Sequence, residues 1–112
     1  MILIIGGVAQ GKRQYVANEY KGYEVIESYH EKIRMQLEQG EDPLASAKSL
    51  LADVKDVDHL VIICNEVGYG LVPIDAMERK YREKVCRVSC YLAAEATEVV
   101  RVVAGMPMKI KG

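Results

Sequence analysis

The chain has 112 residues, half of them hydrophobic and 28% charged, with a formal net charge of −1 and a pI near 6.1. That length and balance fit one globular domain, residues 1–112, and exclude a disordered segment. The near-neutral charge leaves no electrostatic footprint for nucleic acid, and no apolar run is long enough to cross a bilayer.

The first element is the apolar run Ile2 to Ile5, a buried-strand candidate. It is too short for a secretory leader and has no basic residues before it, so the expected location is the cytoplasm. It runs into Gly6-Gly7-Val8-Ala9-Gln10-Gly11-Lys12, which fits a phosphate-binding loop: two glycines five apart, then lysine. The next position should be Ser or Thr and is Arg13. Gly6 and Gly11 permit a backbone path that turns several N–H groups toward one anion, and the helix N-terminus that follows adds partial positive charge. The nucleotide-binding set is Gly6, Gly7, Gln10, Gly11, Lys12 and Arg13, with Lys12 reaching the outer phosphates. The missing hydroxyl would ordinarily hold the nucleotide's Mg²⁺. A guanidinium at position 13 can instead pair with phosphate oxygens, or it can point into water. A strand-to-helix turn also calls for glycine on conformational grounds alone.

Lys12 to about Tyr20 is the first predicted helix, with Val16 and Tyr20 on its inner face, and Tyr23 to Ile26 is a short strand. Ser28 and Glu31 have capping-box spacing and open a second helix, whose stripe is Tyr29, Ile33 and Leu37 and whose end is Gly40. Asp42 as N-cap and Pro43 at the first helical position start a third, with Leu44, Ala47, Leu51 and Val54 on its apolar face. Lys55 to Asp58 is a polar turn. Leu60 to Cys64 is a continuous apolar run, expected of a strand covered on both faces. It ends in the glycine-bearing loop Asn65 to Gly70, where open α/β sheets place ligands. Asp75 and Glu78 repeat the capping-box spacing before a long helix to about Ala94, with Met77, Tyr81, Val85, Val88 and Leu92 inward. Val99 to Val103 is the next strand, Gly105 breaks it, and Met106 to Ile110 pairs back. The order β-α-β-α-α-β-α-β-β predicts an α/β domain whose sheet is mostly parallel with an antiparallel edge.

Cys64, Cys86 and Cys90 are an odd set without a CxxC pair and read as free thiols; with His30 and His59 far off in sequence, no metal-ligand set is assigned.

Two stretches resemble a known family. Asn65-Glu66-Val67-Gly68-Tyr69-Gly70-Leu71-Val72-Pro73 is similar to the T-N-E-V-G-x-G-I-V-P segment of the adenosylcobinamide kinase / adenosylcobinamide-phosphate guanylyltransferase family. Arg79, Tyr81, Arg82 and Glu83 match its R-x-[FY]-R-[DE], and Arg87, Leu92, Ala93 and Ala94 match the R-x-x-x-x-L-A-A that follows. Glu98 to Lys111 matches its terminal segment, and Ile5 to Lys12 resembles its T-G-G-x-x-S-G-K-S loop. The resemblance implies a P-loop NTPase-like three-layer fold, use of ATP or GTP with Mg²⁺, cobinamide as acceptor, and a homo-oligomer. It places Glu66 beside the nucleotide loop as a catalytic residue that contacts nucleotide, substrate or a magnesium-bound water; the alternative is a carboxylate capping the turn at Gly68.

The chain also departs from the family pattern. Arg13 replaces the loop serine, and Ser89-Cys90 stands for Asn-Gln in the long helix. The stretch Arg34 to Pro43 holds no histidine where the family carries its guanylylated one, and a middle block with an acidic residue is missing between Val54 and Leu60. His30, in the first turn of the second helix, is either a neutral imidazole able to attack phosphorus or a solvated surface residue. Two functions follow. One is an enzyme of cobalamin biosynthesis that phosphorylates cobinamide, with or without a further guanylylation. The other is a catalytically degenerate nucleotide-binding or scaffold paralogue. Mg²⁺-dependence of nucleotide binding discriminates them.

Overall fold

The computed structural model describes residues 1–67 and 75–112. Its elements are β1 (Ile2–Gly6), α1 (Lys12–Glu19), β2 (Glu24–Ile26), α2 (Tyr29–Glu38), α3 (Pro43–Asp53), β3 (Leu60–Asn65), α4 (Ala76–Glu95), β4 (Glu98–Val103) and β5 (Met106–Lys111), with a short 3₁₀ turn at Val57–His59. Among the described residues this is the expected order. Most of the glycine-bearing segment after β3 lies outside them, including the turn at Gly68.

The five strands form one sheet in the order β2-β3-β1-β4-β5. β1 is central and parallel to both neighbours, with Gly6 opposite Asn65 on β3 and Leu3 opposite Val99 on β4. β2 pairs parallel with β3, and β5 pairs antiparallel with β4. The β4–β5 connection is a two-residue turn, Ala104-Gly105, with both residues at positive φ, the geometry that matches the twist of a hairpin.

Period-two alternation divides the core into two layers. On one face, Val16 of α1 and Tyr20, the residue that ends that helix, cover Ile2, Ile4, Val61, Ile63, Val100 and Val102. On the other, Tyr29, Ile33, Ala47, Tyr81, Val85, Val88 and Leu92 from α2, α3 and α4 cover Leu3, Leu60, Ile62, Cys64 and Val99. This two-sided burial is why β1 and β3 read as unbroken apolar runs. The connection running toward the β2 edge crosses one face and those running back cross the other, as a single crossover hand requires. The result is a three-layer α/β fold with the carboxyl ends of β1 and β3 side by side.

Three local expectations are corrected. Ser28 does not cap α2 with its side chain: it sits at φ 52°, ψ 47°. A capping hydroxyl needs extended backbone at the N-cap, and here the chain turns from β2 into α2 within a residue or two, which takes a left-handed conformation instead. Met77 is not on the inner face of α4 but exposed; it lies in the first turn, ahead of the inward stripe that begins at Tyr81. Asp75 does cap α4, accepting from the Met77 N–H at 2.7 Å, whereas Glu78 leaves the box and pairs with Arg34 Nη2 at 2.9 Å. Arg34 also stacks on the Tyr81 ring, 3.9 Å from its centroid, so α2 and α4 are joined by a planar cation held between a ring and a carboxylate.

Candidate functional site

The site is built where β1 gives way to α1. Gly6 packs against the neighbouring strands: a Cβ there would lie 2.6 Å from the Val102 carbonyl oxygen. The Glu66 N–H donates to the Gly6 carbonyl at 2.8 Å, extending the β1–β3 ladder by one bond. Gly11 closes the loop at φ 89°, and a Cβ there would meet Gly105 Cα at 3.2 Å. The loop is therefore pressed between β3 and the β4–β5 turn.

Lys12 begins α1 and is only 7% exposed. Its Nζ donates to the Gly7 carbonyl, so the ammonium folds back over the loop. Burial lowers its pKa, opposed by Cys64 and Glu66. The Gln10 side chain turns to the hairpin, where Oε1 accepts from the Ala104 N–H at 2.6 Å, while its backbone carbonyl accepts from Gly105 N–H at 2.8 Å. Arg13 Nε pairs with Glu27 Oε2 at 3.2 Å, with both side chains well exposed.

A cavity of about 350 Å³ opens here, walled by Gly11, Lys12, Arg13, Glu27, His30 and Asn65 among others. His30 is the residue whose environment the sequence misjudged. It is 8% exposed rather than solvated. The Asn65 N–H, at the carboxyl end of β3, donates to His30 Nδ1 at 3.1 Å, and Nε2 lies 3.5 Å from Glu31 Oε1. Burial lowers the imidazole pKa below its usual 6.5, Glu31 works the other way, and Lys12 and Arg34 add to the lowering. One sequence signal was available: His30 is three residues before Ile33 on α2, hence beside the inward stripe.

Glu66 lies on the other side of the loop. Its Oε1 is 3.0 Å from Arg101 Nε, and with Gly7, Gln10, Arg101 and Val103 it lines a smaller cavity of about 260 Å³. Thus Gln10, Gly11, Lys12 and Arg13 share one cavity with His30, while Gly7 and Gln10 share the other with Glu66. Cys64 is buried, which pushes its thiol up to about 11, and Cys86 and Cys90 are exposed free thiols.

A glycine loop tight enough to exclude a Cβ, followed by a buried lysine, suits phosphate oxygens. The donor set fits a protein-bound Mg²⁺ poorly: position 13 offers a guanidinium already paired with Glu27, and among the described residues no three His, Cys, Asp or Glu side chains converge to hold a metal ion. No helix among the described residues is long and apolar enough to cross a membrane.

Residues 25–110 match the family model of cobinamide kinase / cobinamide phosphate guanyltransferase, a match that begins after the glycine loop. The bifunctional adenosylcobalamin biosynthesis protein CobU of Escherichia coli (strain K12) is 46% identical over 52 residues, 46% of this chain and 29% of that protein. CobU of Salmonella typhimurium gives the same figures. The bifunctional adenosylcobalamin biosynthesis protein CobP of Pseudomonas aeruginosa is 32% identical over 53 residues, 47% of this chain and 31% of that protein. The matched stretch thus spans less than a third of each of these relatives. Since the family model covers well over half of the residues, the chain belongs to the cobinamide kinase / cobinamide phosphate guanyltransferase family.

Proposed function

We propose that the chain binds ATP or GTP in the cavity at the head of α1 and transfers the terminal phosphoryl group to a hydroxyl of cobinamide, a step of cobalamin biosynthesis. The observation that carries this reading is the burial of Lys12 directly after Gly11, in a loop that accepts no side chain at Gly6. Backbone N–H groups from Gly6 to Lys12 hold the phosphates, and the Lys12 ammonium leaves the Gly7 carbonyl to meet the charge that grows on the transferred group. Gln10 keeps the loop against the hairpin. Glu66, held by Arg101, orients the acceptor from the other side of the loop.

A second reading has its own support. The Arg13–Glu27 pair stands where a hydroxyl would help hold Mg²⁺, which favours a nucleotide-binding paralogue that has lost turnover. Calorimetric titration of ATP and GTP, with and without Mg²⁺, into the wild type and Lys12→Ala tests both. Mg²⁺-dependent binding lost in Lys12→Ala, together with phosphate transfer to cobinamide, supports the kinase. Binding indifferent to Mg²⁺ with no transfer supports the paralogue, and no binding of either nucleotide removes both.

A further inference from the structure

We infer that His30 serves the nucleotide cavity as a fixed N–H donor to a phosphate oxygen and not as a nucleophile. This rests on the nucleotide reading above and adds a ligand-binding residue to it.

The argument is one of tautomers. A backbone N–H can only donate, so the Asn65 N–H at 3.1 Å fixes the His30 Nδ1 as an acceptor. A neutral imidazole has one acceptor nitrogen and one N–H. The proton is therefore on Nε2, 3.5 Å from Glu31 Oε1, on a residue that lines the cavity. Attack on phosphorus needs an in-plane lone pair. The Nδ1 lone pair is engaged by Asn65, and Nε2 has no lone pair in this tautomer. Neither nitrogen can form a P–N bond without breaking the contact that joins α2 to the end of β3.

The same arrangement makes a good anion donor. His30 is almost wholly buried, so its ring is held in one orientation and loses little freedom when it binds. The contact to Glu31 is long, and the Glu31 side chain is mostly exposed, so it can swing into water when a phosphate oxygen takes the proton's direction. Lys12 and Gly11 face the same cavity, so the phosphate that meets the glycine loop also comes within the imidazole's side of the site.

The test combines ¹H–¹⁵N spectroscopy of the imidazole with titration of ATP and GTP into wild type, His30→Gln and His30→Ala, each checked for folding by thermal melting. The Nε2–H pattern is expected without ligand, with the Nε2 proton shifting downfield as nucleotide saturates. His30→Ala should weaken nucleotide about tenfold or more, while His30→Gln, which keeps a donor amide, should recover part of the loss. An Nδ1–H pattern, equal affinity in wild type and a folded His30→Ala, or a phosphoramidate at His30 after incubation with GTP would each overturn the inference and leave the Lys12 site standing. Loss of binding by the wild type itself would overturn both. If His30→Ala does not fold, the tautomer and the proton shift in wild type decide.

Discussion

Gln10 and Ala104, 94 residues apart, are joined by a 2.6 Å hydrogen bond from the Ala104 N–H to the Gln10 side-chain oxygen. A second bond, from Gly105 N–H to the Gln10 carbonyl, runs beside it. Together they make the β4–β5 turn a brace for the glycine loop. Gln10→Ala removes one of the two, so it should cost no more than about 1 kcal/mol of stability. Gly11→Ala meets Gly105 Cα at 3.2 Å and forces alanine to φ 89°. It should cost about 1–3 kcal/mol and weaken nucleotide binding more than Gln10→Ala does. Denaturant unfolding and calorimetric titration of the two variants check the order.

Arg13→Ser restores the hydroxyl that P-loops use toward Mg²⁺. The Arg13–Glu27 pair is 74% and 46% exposed on its two sides, and such pairs contribute about 1 kcal/mol or less. Stability should therefore barely change. Nucleotide affinity should become more dependent on Mg²⁺ than in the wild type. Equal Mg²⁺-dependence in the two proteins would mean that position 13 does not face the phosphates.

Tyr29 is fully buried, and its hydroxyl has no hydrogen-bond partner among the described residues. Burial pushes that phenol up to about 12. Tyr29→Phe deletes the orphan and keeps the ring, so melting temperature should hold or rise. Tyr29→Ala opens the core between α2 and β3 and should cost about 3–5 kcal/mol, the range for large aromatic truncations. A marked loss in Tyr29→Phe would reveal a partner for the hydroxyl.

The organisation of the sheet was readable because its causes are local and repetitive. The apolar runs of β1 and β3, the Asp42-Pro43 start and the Gly105 break each announce themselves within a few residues. The glycine turn between β1 and α1 was readable for the same reason. Ser28 was misjudged because its spacing to Glu31 satisfies a capping box while its φ is set by how β2 meets α2. His30 was misjudged because its partner is a backbone N–H in Asn65, 35 residues away, and no side-chain pattern encodes that. Glu66 looked like a strand-end ligand group; its pairing with Arg101 depends on β4 arriving beside β1.

Acid should unfold the protein partly through His30. Its pKa in the folded state lies below the ordinary 6.5 because of burial, reinforced by Lys12 and Arg34 and opposed by Glu31. The unfolded chain therefore binds the proton first. The contribution is fully present above about pH 6.5 and is lost as pH falls from there through the folded value. A proton on Nδ1 also abolishes its acceptance from Asn65. In His30→Gln, the slope of stability against pH below 6.5 should be shallower than in wild type. Identical slopes would place the acid sensitivity elsewhere.

β1 has no sequence neighbour in the sheet: it pairs with β3 and β4, at Val61 and Glu98 for Ile2. The chain must close two long loops before its central strand has a partner on either side, and non-local closure of this kind slows folding. The glycine loop grows out of that strand, so the proposed nucleotide site is complete only when the far end of the chain has docked. A nucleotide can then do little to hasten folding. Its effect should fall on the opposite rate: the folded protein, once loaded, unfolds more slowly.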